Sequence, residues 1–140
     1  MMDANIFFNS ECNFTLSNRN SRAKWIADSI LNENKEVGDL NFVFCTDEYL
    51  LEKNIQFLNH ETYTDIITFD YCEGCVISGD IFISIERVTE NANTFRVDFE
   101  DELDRVLIHG ILHLAGYQDK SQEDAKTMQE KEDFYLSLRS

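Results

Sequence analysis

A chain of 140 residues, with 27 acidic side chains against 12 basic ones and a net charge of −15, fits one domain with room for a hydrophobic core and no need of a disulfide staple. Hydrophobic residues make up 43% and charged ones 28%, the balance of a globular protein, and no apolar run approaches the roughly 18–20 residues of a membrane span. The acidic surface repels polyanions at long range and argues against non-specific coating of nucleic acid, while screening over about 8–10 Å leaves room for a local basic groove.

The start, MMDANIFFNS, lacks the basic region and long apolar run of a signal peptide, so a cytoplasmic location is expected. ANIFFNS predicts a short strand. SNRNSRAKWIADSILNENKE predicts a helix capped at Ser17 or Asn18, with Ala23, Ile26, Ala27, Ile30 and Leu31 at helical spacing. DLNFVFCT alternates and is rich in Phe and Val, so it predicts a strand, and DEYLLEKNIQFLN a helix capped by Thr46 or Asp47. TDIITFDY and ISGDIFISI are β-rich runs joined through CEGCV as a hairpin-like pair. IERVTENANTFR and DFEDELDRVLIHGILHLAG predict helices, the second capped by Asp98. SQEDAKTMQEKEDFYLSL closes the chain, with Ser121 capping and Asp124 three residues on, close to a capping box. No proline, Ser/Gly linker or repeat marks a boundary, so residues 1–140 are expected to form a single domain. About four strands mixed with four or five helices, without strict alternation, predict an α+β fold, a small mixed sheet packed with helices. Strand order is not readable from this pattern.

Cys12, Cys45, Cys72 and Cys75 are read in a reducing setting, where structural disulfides are rare. The C-x-x-C of Cys72 and Cys75 has no second pair for a zinc ribbon and lies in a Gly-containing link between strands. A turn with incidental thiols is the simpler reading.

The chemistry concentrates in HGILHLAGYQDK. His109 and His113 lie four apart, roughly 40° around a helix, and so point the same way. Leu103, Leu107, Gly110 and Leu114 share a neighbouring face, and Ile108 and Leu112 the far one, so this helix is expected to be buried nearly all round. A buried helix holds ligands rigidly. Gly116 just past its end can take a left-handed conformation and reverse the chain, bringing Asp119 back toward the histidines. Two imidazoles and a carboxylate with one open position are a zinc-type catalytic set: one ion, three protein ligands plus water. A histidine pair alone is as readily a satisfied pair beside a core. Gly116 and Asp119 tilt the balance toward a metal, because a buried polar trio needs a reason.

Gly110 stands where H-E-x-x-H peptidases carry the glutamate that deprotonates water and protonates the leaving amine. A phosphodiester leaves as an alkoxide, whose charge a metal can stabilise, so the missing glutamate favours phosphodiester over peptide cleavage. The glycine is also expected to leave room beside the ion for a bulky substrate.

HGILHLAGYQD resembles the signature H-G-x-L-H-L-x-G-Y-D-H of the YbeY family of bacterial metal-dependent endoribonucleases. YTDIITF is similar to that family's P-T-D-V-L-S-F, SGDIFIS to its L-G-D-I-V-I-S, and Met128 and Glu130 fall where the family has its helix after the metal loop. The likeness runs from about Asn54 to about Glu132. It implies a single-strand-specific RNA hydrolase acting in 16S ribosomal RNA maturation and ribosome quality control, with a zinc-like metal on three side chains. The third ligand is histidine in most of the family, and Asp119 stands there instead; a carboxylate also binds zinc well. Where the family has an arginine thought to engage RNA phosphate, this chain has Leu58. His60, two residues later, is a candidate for phosphate contact or proton transfer, or a plain loop histidine. Arg105, one turn before His109, and Arg87 are candidates for substrate binding, though an arginine so placed is more often solvated than a phosphate clamp. Asp65 and Asp80 are expected to bond backbone donors and order the groove. Expected partners are single-stranded ribosomal RNA and the small ribosomal subunit or an associated protein, with no membrane. Two other readings stay open: a zinc metallopeptidase sharing only the spacing, and a non-catalytic ribosome-assembly factor with a structural metal.

Overall fold

Leu40, Phe42 and Phe44 on one strand, and Ile77, Ile81 and Ile83 on another, alternate so that each strand has one fully buried face. The computed structural model, which describes residues 5–58 and 64–139, builds its sheet around these two strands. Its elements in chain order are β1 (Ile6–Ser10), α1 (Arg19–Asn32), β2 (Glu36–Cys45), α2 (Asp47–Leu58), β3 (Ile66–Asp70), β4 (Val76–Ser84), α3 (Ile85–Phe95), α4 (Phe99–Leu114) and α5 (Gln122–Ser137). The strand order is β1-β2-β4-β3, with β1, β2 and β4 parallel and β3 antiparallel on the edge of β4. The α+β expectation therefore holds, and the hairpin expected around CEGCV is the β3–β4 turn, with Gly74 at φ 59°. Among the described residues no helix is long and apolar enough to cross a membrane.

The boundaries differ where pairing is non-local. The first helix stops at Asn32, and β2 begins at Glu36, three residues before the expected Asp39, because Glu36 pairs with Val76 and Val37 with Ile77. Thr46 and Ser121 cap as expected, their hydroxyls accepting from the backbone N–H of Tyr49 at 3.1 Å and Asp124 at 3.0 Å. Asn18 and Asp98 occupy cap positions without a side-chain cap bond. All four cysteines are free; Cys72 is engaged with Ser78 and Cys75 is exposed.

Helix α4 is the centre of the molecule. The sheet lies on one side of it and α1, α3 and α5 pack around the rest. Leu103, Leu107, Ile108, Ile111 and Leu112 are all essentially inaccessible, each contributing about 1.5–3 kcal/mol by burial. The buried Arg22 of α1 clamps this helix, donating from Nε to Asp104 at 2.8 Å and from Nη2 to Glu100 at 2.6 Å. Arg139 reaches Asp104 from the other side at 2.8 Å. On the opposite face of the sheet, α2 covers a smaller cluster of Cys45, Leu50 and Ile67.

Candidate metal centre

Both histidines project from the last two turns of α4, whose burial fixes their direction. The helix ends in a full reversal: Gly116 N–H donates to His113 O at 3.0 Å and Tyr117 N–H to Leu112 O at 3.0 Å, with Gly116 at φ 108°. That pairing is the Schellman arrangement, and it requires a residue indifferent to positive φ. Tyr117 then anchors the turn, its hydroxyl donating to Glu33 of the α1–β2 link at 2.7 Å. Glu33 also accepts from Lys131 and from the Tyr135 hydroxyl, both on α5. Burial works against its negative charge, yet the bonds from Tyr135, Tyr117 and Lys131 prevail and hold its pKa below the usual glutamate range.

The reversal delivers Asp119 between the imidazoles. Its Oδ2 lies 3.4 Å from Nε2 of His109 and 3.3 Å from Nε2 of His113. The two rings stand nearly perpendicular, 83° apart, with centroids separated by 4.5 Å. One ligand atom from each of the three residues lies within 4.8 Å of the others, and all three side chains are partly open to solvent. Metal–ligand bonds of about 2.0–2.1 Å in a tetrahedral site imply ligand–ligand edges of about 3.3–3.4 Å. The two histidine–aspartate separations match that edge, and the N, N, O donor set suits a borderline divalent ion.

The second ring of contacts orients the first. Nδ1 of His109 lies 2.6 Å from Oε2 of Glu132 on α5; a carboxylate only accepts, so Nδ1 carries the proton and Nε2 keeps its lone pair toward Asp119. Glu132 is itself buried and accepts from Arg105 Nη1 at 2.8 Å, while Arg105 Nη2 donates to Asp133 at 2.6 Å. Burial disfavours the charged form of His109, but the Glu132 bond and charge, with Asp119 and Asp65 adding to them, hold its pKa above the ordinary value. Burial pushes the carboxyl of Asp65 up as well, opposed mainly by His109.

His109, His113 and Asp119 are thus brought together. Arg105 stands beside them, with both arms of its guanidinium engaged by α5 carboxylates. Arg87 is elsewhere, in the first turn of α3, paired with Asp47 at 3.0 Å and Glu90 at 3.5 Å. Asp80 lies on the sheet face away from α4, in register with Asn41 and Phe69. His60 falls outside the described residues. Glu132 was not anticipated from sequence; its signal is a carboxylate on the helical face that also carries buried Met128 and Tyr135. The reading of Gly110 as room for substrate is corrected. A Cβ there would lie 3.0 Å from Ile66 Cδ1 and 3.3 Å from Ile81 Cγ2, so the space beside this glycine is taken by the sheet, which it lets α4 approach.

The family profile described as Endoribonuclease YbeY matches residues 7–139. An Endoribonuclease YbeY of Flavobacterium psychrophilum is 54% identical over 133 residues, covering 95% of this chain and 95% of that one. One from Christiangramia forsetii is 48% identical over 138 residues, covering 99% and 96%. The solution structure of TM1509 from Thermotoga maritima superposes with a TM-score of 0.66 at 30% identity, covering 94% of this chain and 87% of that one. On this match along nearly its whole length, the chain belongs to the endoribonuclease YbeY family.

Proposed function

We propose that the chain is a single-strand-specific endoribonuclease that uses one zinc ion held by His109, His113 and Asp119, and that it acts in the cytoplasm in 16S ribosomal RNA 3′-end maturation and ribosome quality control. The observation that carries the metal reading is the convergence of two imidazole Nε2 atoms on one carboxylate oxygen at 3.3 and 3.4 Å. The ion would supply Lewis-acid stabilisation of charge developing on the phosphodiester. The protein's part is positional. Glu132 sets the tautomer of His109, the Gly116 reversal aims Asp119, and the packed helix α4 keeps all three donors from reorganising. No carboxylate follows His109 in the chain, which removes the proton shuttle a peptidase needs.

Arg105 and Arg87 are each bound to carboxylates, so either would contact RNA phosphate only by exchanging one anion for another. With a net charge of −15, docking onto the small ribosomal subunit through a protein partner suits this chain better than gripping RNA alone. The test is incubation of the purified protein with single-stranded RNA spanning a 16S 3′ end, and separately with casein. RNA cleavage abolished by a chelator and restored by zinc is the expected result. Casein cleavage instead selects a peptidase, and bound zinc with neither activity selects a structural metal.

A further inference from the structure

Beside the metal centre opens a cleft of about 650 Å³, within the range of pockets that hold small ligands. His109 and Asp119 are among the residues that line it. One wall is apolar and solvent-facing: Phe95 and Val97, at the end of α3, are 63% and 44% exposed. Met128 and Leu136 of α5 also line the cleft.

The polar groups of the cleft are unusual in their balance. Its two arginines are already committed, Arg105 to Glu132 and Asp133, and Arg139 to Asp101 at 3.0 Å and Asp104 at 2.8 Å. Glu102 is the reverse. It lines the cleft and is only 6% exposed, yet its carboxyl accepts no hydrogen bond from any described residue. Its oxygens are not among the fully inaccessible unpaired atoms, so they stay open to the cleft, where a ligand's donor can take the place of solvent. Phosphate is the wrong occupant for such a cleft, because carboxylates outnumber the cations and the cations are taken. A flat, uncharged, apolar-faced group carrying an N–H donor is the right one.

Resting on the nuclease reading above, we propose that this cleft receives one base of the single-stranded RNA next to the cleaved bond, packed on Phe95 with its exocyclic amino group donated to Glu102, so that the enzyme favours amino-bearing bases over uracil at that position. Stacking on an aromatic side chain is indifferent to base identity and supplies affinity. Discrimination comes from Glu102. Cytosine presents an amino group where uracil presents a carbonyl, and a carbonyl set against a carboxylate leaves two acceptors facing each other once the base has displaced solvent.

The experiment compares an all-uridine single-stranded RNA with one in which a single cytidine replaces uridine. Binding to the protein in chelator is read by fluorescence anisotropy, and cleavage in zinc by product mapping. Wild type should bind the cytidine RNA about tenfold more tightly and cut beside the cytidine. Glu102→Gln, whose amide pairs with either base, should bring the two RNAs within about twofold of each other. Phe95→Ala should weaken both by roughly five- to tenfold or more, as loss of one stacked base does. Melting curves verify that the variants are folded. Equal wild-type affinity for the two RNAs, or a ratio unchanged in Glu102→Gln, overturns the proposal. So does a pattern in which the variants lose affinity only for a lysine-rich peptide, which would make the cleft a protein site. Wild type that cuts both RNAs without preference sinks this inference alone, whereas wild type that cuts neither sinks the nuclease reading.

Discussion

Glu132→Ala should weaken zinc binding without touching any proposed ligand. The carboxylate accepts from His109 Nδ1 at 2.6 Å and from Arg105 Nη1 at 2.8 Å, and its side chain is 9% exposed. Without it the imidazole loses the acceptor that fixes its tautomer and ring angle, and half of the Arg105 guanidinium is left facing the ring. Removal of such an outer contact costs about 10–100-fold in metal affinity, or roughly 1.4–2.7 kcal/mol. A charged hydrogen bond of about 1.5–3 kcal/mol gives the same scale independently. Protons push the other way. Against the effect of burial, Glu132 raises the pKa of His109, so in acid the wild-type imidazole holds its proton, which excludes metal, more tightly than the variant does. The affinity loss should therefore be full near pH 8 and smaller near pH 6. Zinc competition against a chromophoric chelator at both pH values reads it directly, and Glu132→Gln, which keeps an accepting oxygen, should fall between. Affinity of Glu132→Ala within twofold of wild type at pH 8 would refute the orienting role.

Asp119→Ala should lose most zinc affinity and Asp119→His regain it, since the Gly116 reversal already aims residue 119; tight zinc binding by the alanine variant, by elemental analysis, would remove Asp119 from the site. Gly110→Glu should destabilise the fold by more than about 2 kcal/mol and create no casein cleavage, because the new side chain would press on Ile66 and Ile81; a stable, caseinolytic variant contradicts this. Asp104→Ala strands the buried Arg22 and should cost about 3 kcal/mol in urea unfolding, with a loss below about 1 kcal/mol telling against the clamp. Glu33 has a depressed pKa, so its stabilisation is complete above the unfolded glutamate value of about 4.3 and fades as pH falls through the folded one. The melting deficit of Glu33→Gln should accordingly shrink below about pH 4; a deficit independent of pH would mean that charge plays no part.

What the sequence shows and what it hides divide along contact range. The i,i+4 histidines, the Gly116 reversal and the all-round burial of α4 are local consequences of periodicity and of one glycine's φ, and each is legible in a dozen residues. The early start of β2 is not, because Glu36 becomes a strand residue only through Val76, forty positions away. Glu132 is hidden for the same reason: 23 residues separate it from His109, and its place on the helical face of Met128 and Tyr135 marks it as buried without naming its partner. Arg105 shows another side of the same limit. Its position one turn before His109 is legible, but its partners Glu132 and Asp133 lie on α5, beyond the reach of local spacing. Gly110 misleads in a different way, since absence of a side chain says nothing of which neighbour needs the space.

These long-range contacts give the centre a property that its three ligands do not have by themselves. His109 and His113 belong to α4, Asp119 to the turn beyond it, and the groups that hold them to α5 and the α1–β2 link: Glu132 for His109, Glu33 through Tyr117 for the turn. Lys131 and Tyr135, which hold Glu33, lie on the same helix as Glu132. Helix α5 thus braces both sides of the site, while its own outer face is largely exposed and its core contacts are few: Met128, Glu132 and Tyr135. A helix so lightly buried is the element expected to open first, and its opening would release His109 and the Asp119 turn together. Ligand binding favours the state that binds, so zinc should protect the amides of α5 from hydrogen exchange more than those of β2 or β4, although no residue of α5 is a proposed ligand. Equal protection across the sheet and α5 would mean that the ion is held by a site already rigid without it.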